Sequence, residues 1–361
     1  MAINAPKGIN PANGGDAMRV ELAGQPAGTR AAGVDSADKS AIRRLHANDR
    51  ALLVKHNLAS AAVLGLMAAA LWTWQAGLWP LTIVAWLLAG HFAHAKVIAL
   101  HEAAHGTLNA RRFLNELQGT LIGAVIFVPL SAYRICHARH HAYLASPRDP
   151  ELWPFTMPGT PRWPRRLAAG AEITLGFVYT PLLMLRGVIV SRPLSPDQRR
   201  RLLAEYGLSV LIWSTMIGVV AAGGWWAQWS VACLAPMLLA GSFQTLNKYT
   251  EHMGLLGDTV LSSTRTVVDP RPWGKLLSRS LLNVDYHGTH HRYAKVPYYN
   301  LPAATPYVFD RHAATAPVYA TYVAALCAMI RTLTNPRVGR QWLEEEVDGR
   351  GGRADGESRL Y

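Results

Sequence analysis

Fourteen histidines occur in the 361-residue chain, and eight of them fall into three tight sets. The first set is His101 and His105 in HEAAH, the second His137, His140 and His141 in HARHH, and the third His287, His290 and His291 in HGTHH. HEAAH is literally the HExxH pattern of zinc hydrolases, in which two imidazoles one helical turn apart grip a metal and the glutamate, here Glu102, serves as base. The other two sets repeat an HxxHH spacing. On a helix the first residue of such a set shares a face with the fourth and fifth, so one helix can offer two or three imidazoles to adjacent metals. Imidazole suits zinc, copper, iron and nickel alike, but the number of ligands discriminates. A catalytic zinc takes about three protein ligands and keeps one position open. It would use His101, His105 and one partner, and leave at least five clustered histidines unexplained. Two ions use them all, and a pair of histidine-rich ions with open positions for oxygen favours redox iron over a membrane zinc hydrolase.

These sets must be carried by a membrane protein. Half of the residues are hydrophobic and gathered into blocks. Cys136, Cys233 and Cys327 are widely spaced, so neither a disulfide framework nor a thiolate metal site is expected. The net charge of +13 comes from Lys and Arg flanking the apolar blocks rather than interleaved with aromatics, which points to membrane topology and away from nucleic acid. Residues 58–74 and 78–100 form one hairpin of apolar spans, and 207–222 and 227–246 form another. Each span is long enough for a hydrocarbon core of ~30 Å. Basic residues precede both hairpins, the short turns carry no charge, and Trp72, Trp74, Trp79, Trp225, Trp226 and Trp229 sit near the turns as an interfacial belt. Both hairpins should therefore begin and end on the cytoplasmic side. Two further stretches, 117–133 and 173–190, would place the histidine sets in opposite solvents if either crossed alone. The first is read as re-entrant or surface-lying helices and the second as an interfacial helix or bent pair. Residues 1–40 read as a flexible tail without a secretory signal, 41–335 as the catalytic domain, and 336–361 as a charged flexible tail. The run 36–49 is a candidate amphipathic helix on the membrane surface.

The segments HEAAHGT, HARHHAYLASPRDPE and NVDYHGTHHRYAKVPYYNLP, in this order and with hairpins before the first and between the second and third, resemble the integral-membrane fatty acid desaturase and hydroxylase superfamily, in its bacterial branch. The resemblance covers roughly residues 55–310. It implies an all-α integral membrane fold, with four transmembrane helices in two hairpins, interfacial or re-entrant helices and a cytoplasmic histidine-rich cap. It also implies two non-haem irons held by the box histidines, a hydrocarbon chain in a tunnel among the helices, and O2 as co-substrate. Electrons would come from a ferredoxin or similar external donor with an NAD(P)H-dependent reductase, since no ferredoxin cysteine set is visible in the chain. The place implied for the enzyme is a bacterial inner membrane, with metal site and termini cytoplasmic. A further histidine after the fourth span is common in the family, and His252 in NKYTEHMG occupies that place as a ninth ligand.

Other residues follow from these. Under the di-iron reading Glu102 becomes an acceptor for a ligand imidazole N–H rather than a base, and Asp149, Glu151, Glu251 and Asp285 are candidates for similar work. Asp149, Glu151 and Asp285 could alternatively pair with Arg139, Arg148 and Arg292. Asn283 could hold a metal-bound water or cap a helix. His91 and His94, polar in an apolar helix, are read as pocket-lining or head-group contacts, or as structural hydrogen-bonding residues. Arg134, Arg139 and Lys248 could meet a substrate head group or an acidic donor. The expected substrate is a fatty acid, acyl thioester or lipid acyl chain. Desaturation is the expected reaction, with hydroxylation or oxidative decarboxylation to a terminal alkene as alternatives.

Overall fold

The structure is a computed structural model and describes residues 34–47, 52–191, 193–309 and 316–344. Most of the two expected tails lies outside these residues. The chain runs α1 (Val34–Leu45), α2 (Leu52–Gln75), α3 (Trp79–His105), α4 (Arg112–Val125), α5 (Leu130–Ala142), α6 (Arg162–Val190) and α7 (Pro196–Gly223). There follow α8 (Trp226–Trp229), a π-helical turn (Ser230–Leu234) and α9 (Ala235–His252), one continuous run. The cap adds β1 (Thr266–Val267), α10 (Pro272–Ser280), α11 (His287–Arg292), α12 (Leu301–Phe309), β2 (Val318–Tyr319) and α13 (Tyr322–Thr332).

The two hairpins are α2–α3 and α7–α9. Gly77 and Gly224 take left-handed φ values of 72° and 64° at their turns, a conformation that glycine adopts without steric cost. Thr73 and Thr82 close the first turn by a 2.9 Å hydroxyl contact. Ser195 and Gln198 cap α7 reciprocally, with Pro196 in its first turn. Among the described residues, Trp79–His105, Arg162–Val190, Pro196–Gly223 and Trp226–His252 are long and apolar enough to cross a membrane, while α2 contributes the shorter apolar run Ala59–Gln75. Many of their large apolar side chains face outward, among them Leu81, Val84, Leu88, Val210 and Leu211, as lipid contact requires.

The two doubtful stretches do not behave as simple crossings. Helices α4 and α5 meet at 97°. Asn115 near the start of α4 and Arg134 on α5 both donate to the carbonyl of Ala103, beside the first histidine set, so the bent pair leaves that level and returns to it. Helix α6 is one run of 29 residues, broken at Leu175 by non-helical dihedrals and carrying Pro181. Its early turns place Ala169 in the cluster of Leu152, Phe155 and Tyr249, and its last turns set Gly187 against Cys136 and Pro150. Both ends thus meet the histidine-bearing layer, which favours a bent helix lying along it although its length would suffice to cross. Between these ends α6 touches α9 backbone to backbone. A Cβ on Gly176 would lie 2.6 Å from the Gly241 carbonyl oxygen, and one on Gly241 would overlap the Phe177 nitrogen. Close helix approach of this kind is what small residues permit in membranes.

The C-terminal boundary differs from the expectation. Residues 336–344, assigned to the tail, pack into the cap. Val338 and Trp342 are buried, and the Trp342 indole and the Val338 amide both donate to the carbonyl of Phe155. The charge of this stretch masks two apolar anchors that reach a distant carbonyl. At the other end, α1 begins inside the assigned tail and docks Ile42 against Tyr286, Val296 and Leu301. It is a cap helix as well as an amphipathic one.

Gly241→Ala should overpack the α6–α9 contact and lower stability by about 1–3 kcal/mol. Thermal unfolding in detergent should show this as a depressed Tm, with Gly218→Ala as the neutral control because open space surrounds Gly218.

Candidate metal centre

Helix geometry delivers the histidines from four directions. Helix α3 ends on His105 because Gly106 turns left-handed at φ 79° and caps the carbonyls of Ala103 and Glu102. Helix α9 ends on His252, the re-entrant arm α5 carries His137, His140 and His141 in its last turns, and the short α11 carries His287, His290 and His291. The amide of Gly288 donates to Thr266 Oγ1 at 2.9 Å, which pins α11 to β1.

The nine nitrogens form two groups, each able to hold an ion, with ligand atoms within 4.8 Å of one another. The first comprises His101, His105, His137, His141 and His290, the second His140, His252, His287 and His291. Each HxxHH set is therefore split two to one, and in opposite senses. His137 and His141, one turn apart, serve the first group and His140 the second. His287 and His291 serve the second group and His290 the first.

The spacing fits metal ligation. Two imidazole nitrogens ~2.1 Å from one ion and at right angles are ~3.0 Å apart. In the first group the Nε2 atoms of His101 and His290, and of His105 and His137, lie 2.9 Å apart. His141 Nε2 is 3.0 Å from that of His137 and 3.2 Å from that of His290. In the second group the corresponding distances are 2.9 Å for His252 with His287 and 3.0 Å for His287 with His291. Burial, and then the neighbouring imidazoles, hold His287, His290 and His291 well below the usual imidazole pKa, so these rings are neutral donors. Nitrogens gathered at this range are spaced as the ligands of one cation would be.

The opposite ring nitrogen is held from behind. His137 Nδ1 meets Glu151 at 3.0 Å, His140 Nδ1 meets Asp149 at 2.9 Å, and His252 Nδ1 meets the Ser263 carbonyl at 3.0 Å. Glu102 and Glu251 stand 3.3 Å from the Nδ1 atoms of His101 and His287, close contacts without hydrogen-bond alignment. A carboxylate or carbonyl on Nδ1–H fixes the tautomer that turns Nε2 towards the metal. Asp149 is itself held by the amides of Ala145 and Glu151, and Glu102 by the Thr107 hydroxyl and the Tyr298 amide. Tyr133 stacks on His137 with centroids 5.1 Å apart.

Several expected residues do other work. Asn283 sits at φ 48°, its amide donating to the Tyr298 carbonyl and its oxygen accepting from Ser278, so it braces the turn before α11. Asp285 accepts from the same Ser278 hydroxyl at 2.7 Å, and burial raises its pKa to about 7. Arg134 forms a two-pronged pair with Glu116, at 2.7 and 2.8 Å. Lys248 pairs with Glu172, whose buried carboxylate also accepts from the Tyr249 hydroxyl. Neither cation offers itself to a head group, since the half-buried Glu116 holds Arg134 and the buried Glu172, which needs a partner of its own, holds Lys248. Arg139 lies over the Tyr143 ring.

A cavity of about 400 Å³ opens among α2, α3, α4, α6 and α9. Its α3 wall is Ala93, Lys96 and Val97, one helical stripe, and neither His91 nor His94 lines it. His94 is buried beside Gln244. Sequence reasoning missed Ser263, Glu172, Lys96 and Glu205, the last of which holds the Ser131 amide and hydroxyl at 2.8 Å each. Glu205 follows the arginine run that marked topology, which drew attention away from it. Ser263 acts through its carbonyl, for which no side-chain signal exists.

Comparison with known proteins agrees with this layout. A probable fatty acid desaturase of Sorghum bicolor is 33% identical over 88 residues, covering 24% of this chain and 21% of that protein. An oleoyl-12-hydroxylase of Ricinus communis is 24% identical over 258 residues, covering 63% of this chain and 66% of that protein. A chloroplastic sn-2 acyl-lipid omega-3 desaturase (ferredoxin) of Helianthus annuus is 33% identical over 93 residues, covering 26% and 20%. The chain thus spans less than two thirds of the length of these curated relatives. The family model described as fatty acid desaturase matches residues 77–323, from the turn of the first hairpin to the start of α13 and through all nine clustered histidines. The chain belongs to the fatty acid desaturase family.

Proposed function

We propose that the protein desaturates a fatty acid or fatty acyl chain with O2, using two iron ions held by His101, His105, His137, His141 and His290 on one side and His140, His252, His287 and His291 on the other. The observation that carries this reading is the gathering of nine imidazoles into groups of five and four, with ligand atoms within 4.8 Å of one another and several pairs about 3 Å apart. Bound iron would supply activation of dioxygen and removal of hydrogen from an unactivated carbon. The chain's own residues do the rest. Glu151, Asp149 and the Ser263 carbonyl hold protons at Nδ1 and aim the rings, and the buried cap keeps bulk water from the site. Two ions are favoured over a single zinc because a three-ligand zinc site leaves most of the gathered imidazoles without purpose.

The sunflower relative carries ferredoxin in its name, which supports an external ferredoxin-like donor with an NAD(P)H-dependent reductase. Desaturase and hydroxylase names both occur among the relatives, and hydroxylation or decarboxylation to a terminal alkene would use the same site. The arginines at the start of α7, and the basic run before α2, lie at the hairpin ends that carry the histidines, which supports a cytoplasmic metal side in a bacterial inner membrane.

Purified protein should contain two irons per chain by elemental analysis, and one zinc without iron would overturn the assignment. His252→Ala should lower the iron content towards one per chain and abolish turnover. Asp149→Asn and Glu151→Gln should leave the fold intact by circular dichroism but weaken metal retention about 10–100-fold against a chelator. Reconstitution with ferredoxin, reductase, NADPH and O2 on free, thioester and lipid-bound fatty acids should yield products lighter by two hydrogens. Mass spectrometry would instead reveal hydroxylation as one added oxygen and decarboxylation as loss of the carboxyl carbon.

A further inference from the structure

Helix α10 (Pro272–Ser280) presents three faces to three different surroundings. Trp273, Leu276 and Leu277, spaced as one row on a helix, are 80%, 57% and 40% exposed. Gly274 and Ser278, one turn apart, form the face turned to the protein. A Cβ on Gly274 would overlap the Asp269 carboxylate, and the Ser278 hydroxyl lies 3.0 Å from Asn283 Oδ1 and 2.7 Å from Asp285 Oδ1. This docking fixes the rotation of α10 and leaves the apolar row pointing outward. Arg271 is held by Asp269 at 2.6 and 2.8 Å. Lys275 and Arg279, also one turn apart, are the exposed cations on the side away from the apolar row.

The depth of α10 follows from α3. Exposed Trp72, Trp79, Trp225 and Trp226 stand at the hairpin turns and mark one membrane boundary. From Trp79, a rise of 1.5 Å per residue reaches Ile98 after about 28 Å, close to one hydrocarbon core of ~30 Å. Ile98 shares a packed cluster with Leu281 and Val284, which follow α10 in the chain. Helix α10 therefore ends where the spans leave the apolar layer on the histidine side. An outward row of Trp and Leu backed by Lys and Arg, at that depth, has the pattern of a helix lying in the membrane plane. A soluble partner would have to cover the row at a level that lipid already occupies.

We propose that α10 is an anionic-lipid contact on the histidine side of the bilayer, with Trp273, Leu276 and Leu277 sunk at the acyl boundary and Lys275 and Arg279 taking the phosphates of anionic phospholipids. Depth and charge are tested separately on the intact protein in nanodiscs. Spin labels are placed through Leu276→Cys and Lys275→Cys in a Cys233→Ala, Cys327→Ser background, where the remaining Cys136 is buried. The label at 276 should be relaxed by O2 and shielded from a water-soluble nickel chelate, and the label at 275 should behave in the opposite way. Equal access of the chelate to both labels overturns the membrane placement and frees the row for a soluble protein partner. Hydrogen exchange of the wild-type segment 272–280 is then compared in phosphatidylcholine discs with and without phosphatidylglycerol. Attraction to an anionic surface amounts to roughly fivefold per cation, so exchange should slow about tenfold or more in the anionic discs. Lys275→Gln combined with Arg279→Gln should abolish that difference. Equal exchange in the two lipids, a difference that survives the double substitution, or equal protection by inorganic phosphate in phosphatidylcholine discs would each overturn the head-group contact.

Discussion

Nine imidazoles are held with their lone pairs converging, and that is the costly constraint around which the molecule is built. Burial opposes protonating the three on α11, so crowding their ring nitrogens against the others is not relieved by taking up charge. The rest of the fold must therefore hold them in place from outside. Carboxylates and a carbonyl clasp the far side of several rings, and these clasps are tied to backbone amides or hydroxyls in turn. A ring so held presents Nε2 inward as a donor without rearrangement, which is what ready uptake of a metal requires.

The membrane hairpins solve the second half of the problem. Two long helices, α3 and α9, end at the same level, one on His105 and the other on His252, and each runs from the histidines past the cavity wall into the apolar spans. The bent pair α4–α5 and the broken helix α6 fill the layer between them without sending the intervening histidines to the far side. Gly176 and Gly241 let α6 and α9 touch at their backbones, where any side chain would force the helices apart. One scaffold thus holds a polar, preorganised cap over an apolar cavity.

The crosswise use of the HxxHH sets gives the two halves their coupling. Because His140 and His141 belong to different groups, as do His290 and His291, a rotation of α5 or α11 disturbs both groups together. His141 and His291 stack at 4.2 Å across the divide, so the groups also share packing. An error in either helix is felt twice, and Thr266, Asn283 and Ser278 brace the approach to α11 accordingly.

The identities of the nine histidines, the two hairpins and the family were legible in the chain itself. HExxH and HxxHH report helix faces through local spacing, and spans report themselves by composition over some twenty residues. What spacing cannot express is partition across distance. Which histidine joins which group depends on how α5 and α11 rotate against α3 and α9, and only the packed structure decides that. The same holds for charges. Arg134 and Lys248 look available in the sequence, yet Glu116 and Glu172, remote from them in the chain, claim both. Lys96 carried no motif, and its place on a cavity wall emerged only once α2, α4, α6 and α9 closed around α3. Residues 336–344 read as tail by their charge, but Trp342 reaches a carbonyl 187 positions away, a contact that local composition does not encode.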